Sequence, residues 1–501
     1  MTELLPPATD PRTATGLPVA PPSAPPTSAG ALPPGSRTVD AHGASAPGLS
    51  FRDGSVIDGW DPEDPAQWEG GGSRIAARNL RWSILAEFLG FVVWQLWSIV
   101  VVQLPAAGFD LSTGEVFWLI SMPSLVGATL RFPYTFMVPR FGGRNWTVIS
   151  ALLLLIPTIA LAVCVGNPET PFGVLLGVAA LAGFGGGNFA SSMSNITYFY
   201  PQSRKGWALG LNAAGGNLGA SVAQLVVPLV ITVGAAATLD LPLAGWVWVP
   251  LILVAAFGAW RRMDNLSHAK ADLTASLAAL REPHLWILAF LYIGTFGSFI
   301  GFAGVFPKLI SDEFPELSTF AVGSATLSLA FLGSLMGSLA RPLGGRLADR
   351  HGGAAVTMGA FVAMGLAVVA VIATLPIGSF PLFLVLFLVL FTASGMGNGA
   401  TYRMIPAVFA LRSGTARAGR SSGDVGTQRK TAAALGLISG LGAYGGFIIQ
   451  QVLSLSKTET GGYTTGLGGF VVAYAVMLAV TGLVYLRAGG IRRGTAAGTR
   501  V

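Results

Sequence analysis

The sequence predicts an all-α membrane protein whose twelve transmembrane helices form two pseudo-symmetric six-helix halves. Three observations carry this expectation. Only 11% of the 501 residues are charged and 52% are hydrophobic, whereas a soluble domain is about 25% charged; the mean hydropathy is +0.64. Apolar stretches long enough to cross the hydrocarbon, which takes about 20 residues of helix, recur from residue 82 onward. Short motifs also repeat at corresponding spans of the two halves, as an internal duplication would leave them.

Taken in order, residues 1–73 are rich in Pro, Ala, Ser, Thr and Gly. Such composition buries too little apolar surface to order itself, so a disordered cytoplasmic tail is expected. It lacks a charged start followed by an apolar core, and no secretory signal is expected. Within it, "WDPEDPAQWE" (60–69) should dock at the membrane face. Spans follow near 82–105, 115–139, 147–166, 172–199, 207–235, 244–260, 284–308, 319–341, 355–375, 380–409, 431–454 and 465–486. Lys and Arg crowd alternate connections, among them Arg140/Arg144, Arg204/Lys205, Arg261/Arg262 and Arg346/Arg350. The other connections hold Lys308, Lys457 and mostly acids. The bias toward one side places both termini in the cytoplasm. The longest polar connection, 261–283, is a cytoplasmic linker. It separates an N-terminal half (74–260) from a C-terminal half (284–487), and 488–501 form a second cytoplasmic tail.

The same pattern excludes other classes. A net charge of +7 is distributed as a topology signal rather than a nucleic-acid footprint. The single cysteine, Cys164, and four scattered histidines give neither a disulfide framework nor a metal site. No cofactor is implied, and no intramembrane set of His, Asp and Glu suggests an enzyme.

The duplication singles out the functional candidates. "LRFPYTFMVPRFGG" (130–143) aligns without gaps with "ARPLGGRLADRHGG" (340–353), pairing Arg131 with Arg341. "ALGLNAAGGNLG" (208–219) aligns with "ALGLISGLGAYG" (434–445). Arg131 lies eight residues, about 12 Å, from the end of its span, too far for easy snorkelling. Burying it costs roughly 2.5–3.5 kcal/mol, so it is expected to face a cavity and bind an anion. Arg341 at the same depth supplies a second guanidinium, and together they make a planar donor clamp for a small oxyanion. Asn217 either donates to that anion or bonds a neighbouring helix. Arg403 is a third arginine within an apolar stretch, without an assigned role. "GGRLADRHGG" (344–353) reads as a tight connection between spans 8 and 9, with Asp349 capping span 9 and pairing with Arg346 or Arg350.

The loop Gly345-Arg346-Leu347-Ala348-Asp349-Arg350 resembles the loop signature of the major facilitator superfamily. Within it, "GFGGGNFASSMSNITYFYP", "KGWALGLNAAGGNLG" and "GMGNGATYRMIP" are similar to the signatures of the nitrate/nitrite porter family, as are "WDPEDPAQW", "SRIAARNL" and "RFPYTFMVP". The match runs from about residue 57 to 487. The resemblance implies the major facilitator fold in the cell membrane, alternating access by rocking of the halves, and nitrate and nitrite as substrates. It implies substrate contacts from Arg131, Arg341 and Asn217, with Phe189, Tyr292, Phe296 and Ser439 lining the pocket; composition alone reads the aromatic members as helix packing. A monomer in the lipid bilayer is expected.

The expected mode is exchange. Two facing arginines repel one another in an empty low-dielectric site, and a bound anion relieves the repulsion. The alternative is proton-coupled nitrate symport, or transport of another small oxyanion. Glu87, the one acid inside an apolar span, is the candidate proton site. At about five residues, roughly 8 Å, into its span, it is otherwise an edge residue near Arg81.

Overall fold

The computed structural model describes residues 36–232, 239–267, 278–412 and 425–486. Twelve long helices lie among them: α1 (Ser73–Val100), α2 (Thr113–Phe141), α3 (Gly143–Cys164), α4 (Phe172–Phe199), α5 (Gln202–Thr232) and α6 (Leu243–Arg262). After the linker come α7 (Pro283–Glu313), α8 (Phe331–His351), α9 (Gly353–Thr374), α10 (Phe380–Arg412), α11 (Val425–Thr460) and α12 (Thr464–Leu486). All but α8 are long and apolar enough to cross a membrane. Helix α8 falls short because Arg341, Arg346, Asp349 and Arg350 lie within it.

That helix also corrects the eighth expected span. Residues 319–330 are not helical; Phe320–Val322 (β5) and Ala325–Leu327 (β6) pair as an antiparallel hairpin. The chain turns at Gly323, whose φ of 63° suits glycine in a two-residue hairpin loop. Gly345, Arg346, Asp349 and Arg350, expected in a connection, are helical, and the joint between α8 and α9 is Gly352 alone.

Gly352 shows that the sequence repeat is a structural one. It ends α8 with φ 93° and its N–H bonds Ala348 O, while the aligned Gly142 ends α2 with φ 88° and bonds Val138 O. A side chain would be strained at both. Packing repeats too: α2 lies against α4 as α8 lies against α10, and α1 against α5 as α7 lies against α11. The halves meet where α2 packs on α11 and, equivalently, where α8 packs on α5.

Polar bonds pin this seam on the side away from the arginine-rich connections. Gln224 of α5 donates to Ala303 O at 2.7 Å and accepts from Ser334 Oγ of α8 at 2.8 Å. Ser221 Oγ donates to Phe331 O, and Gln451 Nε2 of α11 donates to Ser121 Oγ of α2 at 2.6 Å. Nearer the basic face, a side chain added at Gly206 or Gly210 of α5, or Gly345 of α8, would meet nothing.

Residues 36–73, expected to be disordered, are ordered. Ser36–Arg37 (β1), Ser50–Arg52 (β2), Val56–Asp58 (β3) and, from the linker, Asn265–Leu266 (β4) form one small sheet. Composition averaged over 73 residues hid a local core: Phe51 and Ile57 are fully buried. The remainder, 1–35, lies outside the described residues. The 60–69 segment docks on the junction of α4 and α5: Trp60 Nε1 donates to Tyr198 O, and Gln202 N donates to Glu63 Oε1. Arg78 of α1 pairs with both Asp40 (2.5 Å) and Asp264 (2.7 Å). Burial, only partly offset by Arg78, pushes the Asp264 carboxyl above the usual range.

Arg78→Met should therefore strand two buried carboxylates and cost about 3–5 kcal/mol, read as a lowered melting temperature in detergent. Because Asp264 titrates above its unfolded value, protonation relieves the strain, and the deficit should shrink as pH falls through that range.

Candidate functional site

Arg131 is fully buried midway along α2. The protein supplies part of the partnership that the sequence left open. Arg131 Nε donates to Gly186 O of α4 at 3.1 Å; one terminal nitrogen donates to Ser439 O (3.0 Å) and Ser439 Oγ (2.9 Å) of α11. The arginine thus bridges the two halves, and Ser439 acts as its holder. Its guanidinium carbon lies 4.5 Å from the Phe189 ring centre, 4.9 Å from Phe296 and 5.5 Å from Trp94. The other terminal nitrogen, Nη2, is buried with no partner.

Arg341, 5% exposed, approaches from α8. It lies 5.5 Å from the same Phe189 ring and 5.6 Å from Tyr402, and its Nη1 is likewise buried and unpartnered. One ring therefore lies beside both cations. Phe296 stacks on Phe189 at 6.1 Å and on Tyr292 at 5.3 Å. The Tyr292 hydroxyl lies within reach of Arg341 without a well-formed hydrogen bond, and both amide atoms of Asn217 are buried without partners among the described residues. Buried polar atoms are nearly always bonded, so this concentration of unused donors marks a place built for something the chain does not provide. Two guanidinium forks and a phenol, walled by flat rings, can hold a small planar anion.

Glu87 lies beside this cradle. It is fully buried, and the charges that act on it are Arg341 and Arg131 rather than Arg81, so the alternative of an edge residue beside Arg81 is corrected. Its carboxylate accepts hydrogen bonds from Ser192 of α4 and Asn212 of α5, while Oε1 has no partner.

The duplication explains its position. A side chain added at Gly216 would strike the Glu87 carboxylate, and one at the aligned Gly442 would strike the Tyr292 ring. Gly219 packs on Phe88 O and the aligned Gly445 on Ile293 O. Glu87 on α1 is therefore the pseudo-twofold mate of Tyr292 on α7. In the same way "GGGNFASS" (185–192) aligns with "GMGNGATY" (395–402), pairing Asn188 with Asn398 and Ser192 with Tyr402; both asparagines have wholly unpartnered amides. Trp94 and Tyr402, beside Arg131 and Arg341 respectively, are the members that motif reading left without a role. Aligning these two glycine-rich spans would have found Tyr402.

Asp349 pairs with Arg403 of α10 at 2.6 Å, rather than with Arg346 or Arg350 as expected, and α9 has no side-chain cap. Helix α8 runs past Asp349 and directs the carboxylate across to its packing partner. Both residues are 54% exposed, so Arg403 lies at the basic face, away from the cradle. Among the described residues no group of three or more His, Cys, Asp or Glu could hold a metal ion.

Residues 84–437 match the family model of the Major Facilitator Superfamily. The nitrate/nitrite transporter NarU of Escherichia coli is 42% identical over 450 residues, covering 85% of this chain and 96% of its own. The probable nitrate/nitrite antiporter NarK2 of Thermus thermophilus is 36% identical, covering 88% and 99%. Among solved structures, a bacterial homolog of the human lysosomal transporter Spinster, inward-facing and occupied, superposes with a TM-score of 0.57 at 17% identity over 85% of this chain and 98% of its own. The nucleoside transporter NupG gives 0.56 at 14%, covering 82% and 100%. These two likenesses concern the fold.

The Arg403–Asp349 pair is exposed, and a double-mutant cycle on thermal unfolding should return a coupling of no more than about 1 kcal/mol.

Proposed function

We propose, from the premise that the chain belongs to the Major Facilitator Superfamily and within it to the nitrate/nitrite transporters, that it carries nitrate and nitrite across the cell membrane by exchanging one anion for the other. The observation that carries the reading is the pair Arg131 and Arg341, one from each half, beside a single phenyl ring, each with a buried nitrogen that has no hydrogen-bond partner among the described residues. A nitrate between them accepts from both forks and cancels part of their repulsion. Tyr292 and Asn217 donate to its remaining oxygens, the stacked Phe189 and Phe296 form one wall of the site, and Ser439 keeps Arg131 aimed.

Exchange follows from the energetics of the empty state. Two cations in a site of low dielectric repel strongly, and closing the halves around them without an anion adds to that cost. The loaded carrier rocks and the empty one does not, so one anion leaves for each that enters. No bond is made or broken. In this conformation the halves are pinned opposite the basic face. The reverse opening releases Gln224 from Ser334 and Ala303 and closes the looser ends of α5 and α8. The positive-inside bias sets the basic face, and with it both termini, in the cytoplasm. A single chain carries a complete site and works as a monomer.

The test is counterflow of labelled nitrate in proteoliposomes against nitrate, nitrite, sulfate and chloride. Nitrate and nitrite should exchange and tetrahedral sulfate should not; a carrier that prefers sulfate overturns the reading. Arg131→Lys and Arg341→Lys keep the charge but lose the fork. Each should weaken nitrate at least tenfold, the loss of about 1.5–3 kcal/mol expected for a charged hydrogen bond.

A further inference from the structure

We propose that the groove between α1 and α5 at the basic face binds an anionic phospholipid, with the headgroup phosphate on Arg204 and an acyl chain running down α5 past Trp207 and Leu211. The site lies apart from the anion cradle, and the inference requires only that the chain is embedded in a bilayer. Between the docked 60–69 segment and the ends of the two helices is a cavity of about 390 Å³, within the range of about 300–1,000 Å³ usual for small-molecule sites. Trp68 of the segment, Ser73 of α1, Tyr200 of the α4–α5 junction, and Ser203, Arg204 and Trp207 of α5 line it.

The two ends of the groove differ in chemistry. At the polar end, Arg204 is exposed and pairs with no carboxylate among the described residues. Its guanidinium carbon lies 5.9 Å from the Trp68 ring centre. Trp68 packs edge-on to Tyr200 at 5.5 Å, and Tyr200 meets Trp207 at 6.3 Å, so the aromatic wall is continuous. The charges that act on the Tyr200 phenol are those of Arg81 and Arg204, both cations. Glu63, an acid of the docked segment, is taken up by Gln202 N and faces Lys205. At the apolar end, Trp207 is 63% exposed and Leu211, one turn deeper, 42%. The other faces of α5 are occupied: Gly215 and Gly219 lie against α1, and Ser221 and Gln224 face the seam. The exposed Trp-Leu column therefore meets lipid, with the tryptophan as an interfacial anchor. A soluble anion would leave these side chains uncovered. A zwitterionic headgroup would bring its own cation to a place that already holds two. A basic pocket between membrane helices at the cytoplasmic face is suited to an anionic headgroup.

Native mass spectrometry of the delipidated full chain in detergent measures the site. One phosphatidylglycerol should bind at least fivefold more tightly than phosphatidylcholine. Arg204→Gln should weaken phosphatidylglycerol about fivefold, the effect of about 1 kcal/mol expected for one basic residue at an anionic surface, and bring the two lipids level. Trp207→Leu removes the anchor ring and should weaken both lipids at least twofold. Arg140→Gln, at an exposed arginine of the basic face outside the groove, should stay within twofold of the wild type. Unchanged melting temperatures without lipid show the variants to be folded, and the gain that phosphatidylglycerol gives the wild type should fall by about half or more in Arg204→Gln. Equal wild-type affinity for the two lipids, or an unaltered Arg204→Gln, overturns the inference. So does an Arg140→Gln effect as large as that of Arg204→Gln, which leaves only a diffuse basic surface. Displacement of the lipid by glycerol phosphate makes this a soluble-anion site and also overturns it. Should Arg204→Gln not fold, Trp207→Leu decides, and unaltered lipid affinity there overturns the site.

Discussion

Arginine cannot be neutralised by burial as lysine or glutamate can, because its guanidinium keeps its proton in proteins. Placing two of them in the middle of a helical bundle therefore fixes much else. Most of the arrangement around Arg131, the repelling Arg341 apart, reduces the cost of that charge: the carbonyl of Gly186, the carbonyl and hydroxyl of Ser439, and three aromatic faces. Reaching Gly186 O requires α4 to come close, and it does so through glycine. A side chain at Gly186 would meet the Cα of Gly127 and the Trp94 ring. The glycine-rich spans, read from sequence as packing devices, are what bring a backbone carbonyl within reach of a buried cation.

Much of the fold was legible because membrane crossing leaves a coarse signal: long apolar stretches, charge confined to connections, and a repeat. The signal failed where a helix departs from that pattern. Helix α8 is polar enough that its start was sought twelve residues too early, within a hairpin, and its last two turns were mistaken for a loop. The depth of Glu87 was misjudged by counting residues from the start of the apolar stretch; its full burial beside Arg131 and Arg341 is a matter of packing, which that count cannot see. The sheet of residues 36–58 escaped notice because four short strands, one of them more than 200 residues away in sequence, leave no periodic trace.

The site was legible by a different route. Arg131 stands out in one sequence as a charge in the wrong place, and the repeat then finds Arg341. Asn217 was noticed as a polar residue on a glycine-rich face, with its role left open, whereas the aromatic residues came only through family resemblance, since a phenylalanine on an apolar helix carries no sign of what it faces. Their convergence is a property of three dimensions. So is the asymmetry between Glu87 and Tyr292, which requires knowing that Gly216 and Gly442 look at equivalent positions on different helices. The pseudo-twofold is thus most informative where it is broken: a shared framework makes one unmatched acid visible.

The single-glycine joints at Gly142 and Gly352 have a mechanical consequence. A connection of one residue has no slack, so α3 cannot lag behind α2, nor α9 behind α8. Helices α2 and α8 line the seam, whereas α3 and α9 carry many outward-facing apolar side chains, among them Ile156, Val163, Val362 and Leu366. Any tilt at the seam is transmitted at once to the surface that the surrounding hydrocarbon grips. The work of tilting these helices is then done partly against the lateral pressure of the bilayer, and lipid thickness becomes a load on that motion.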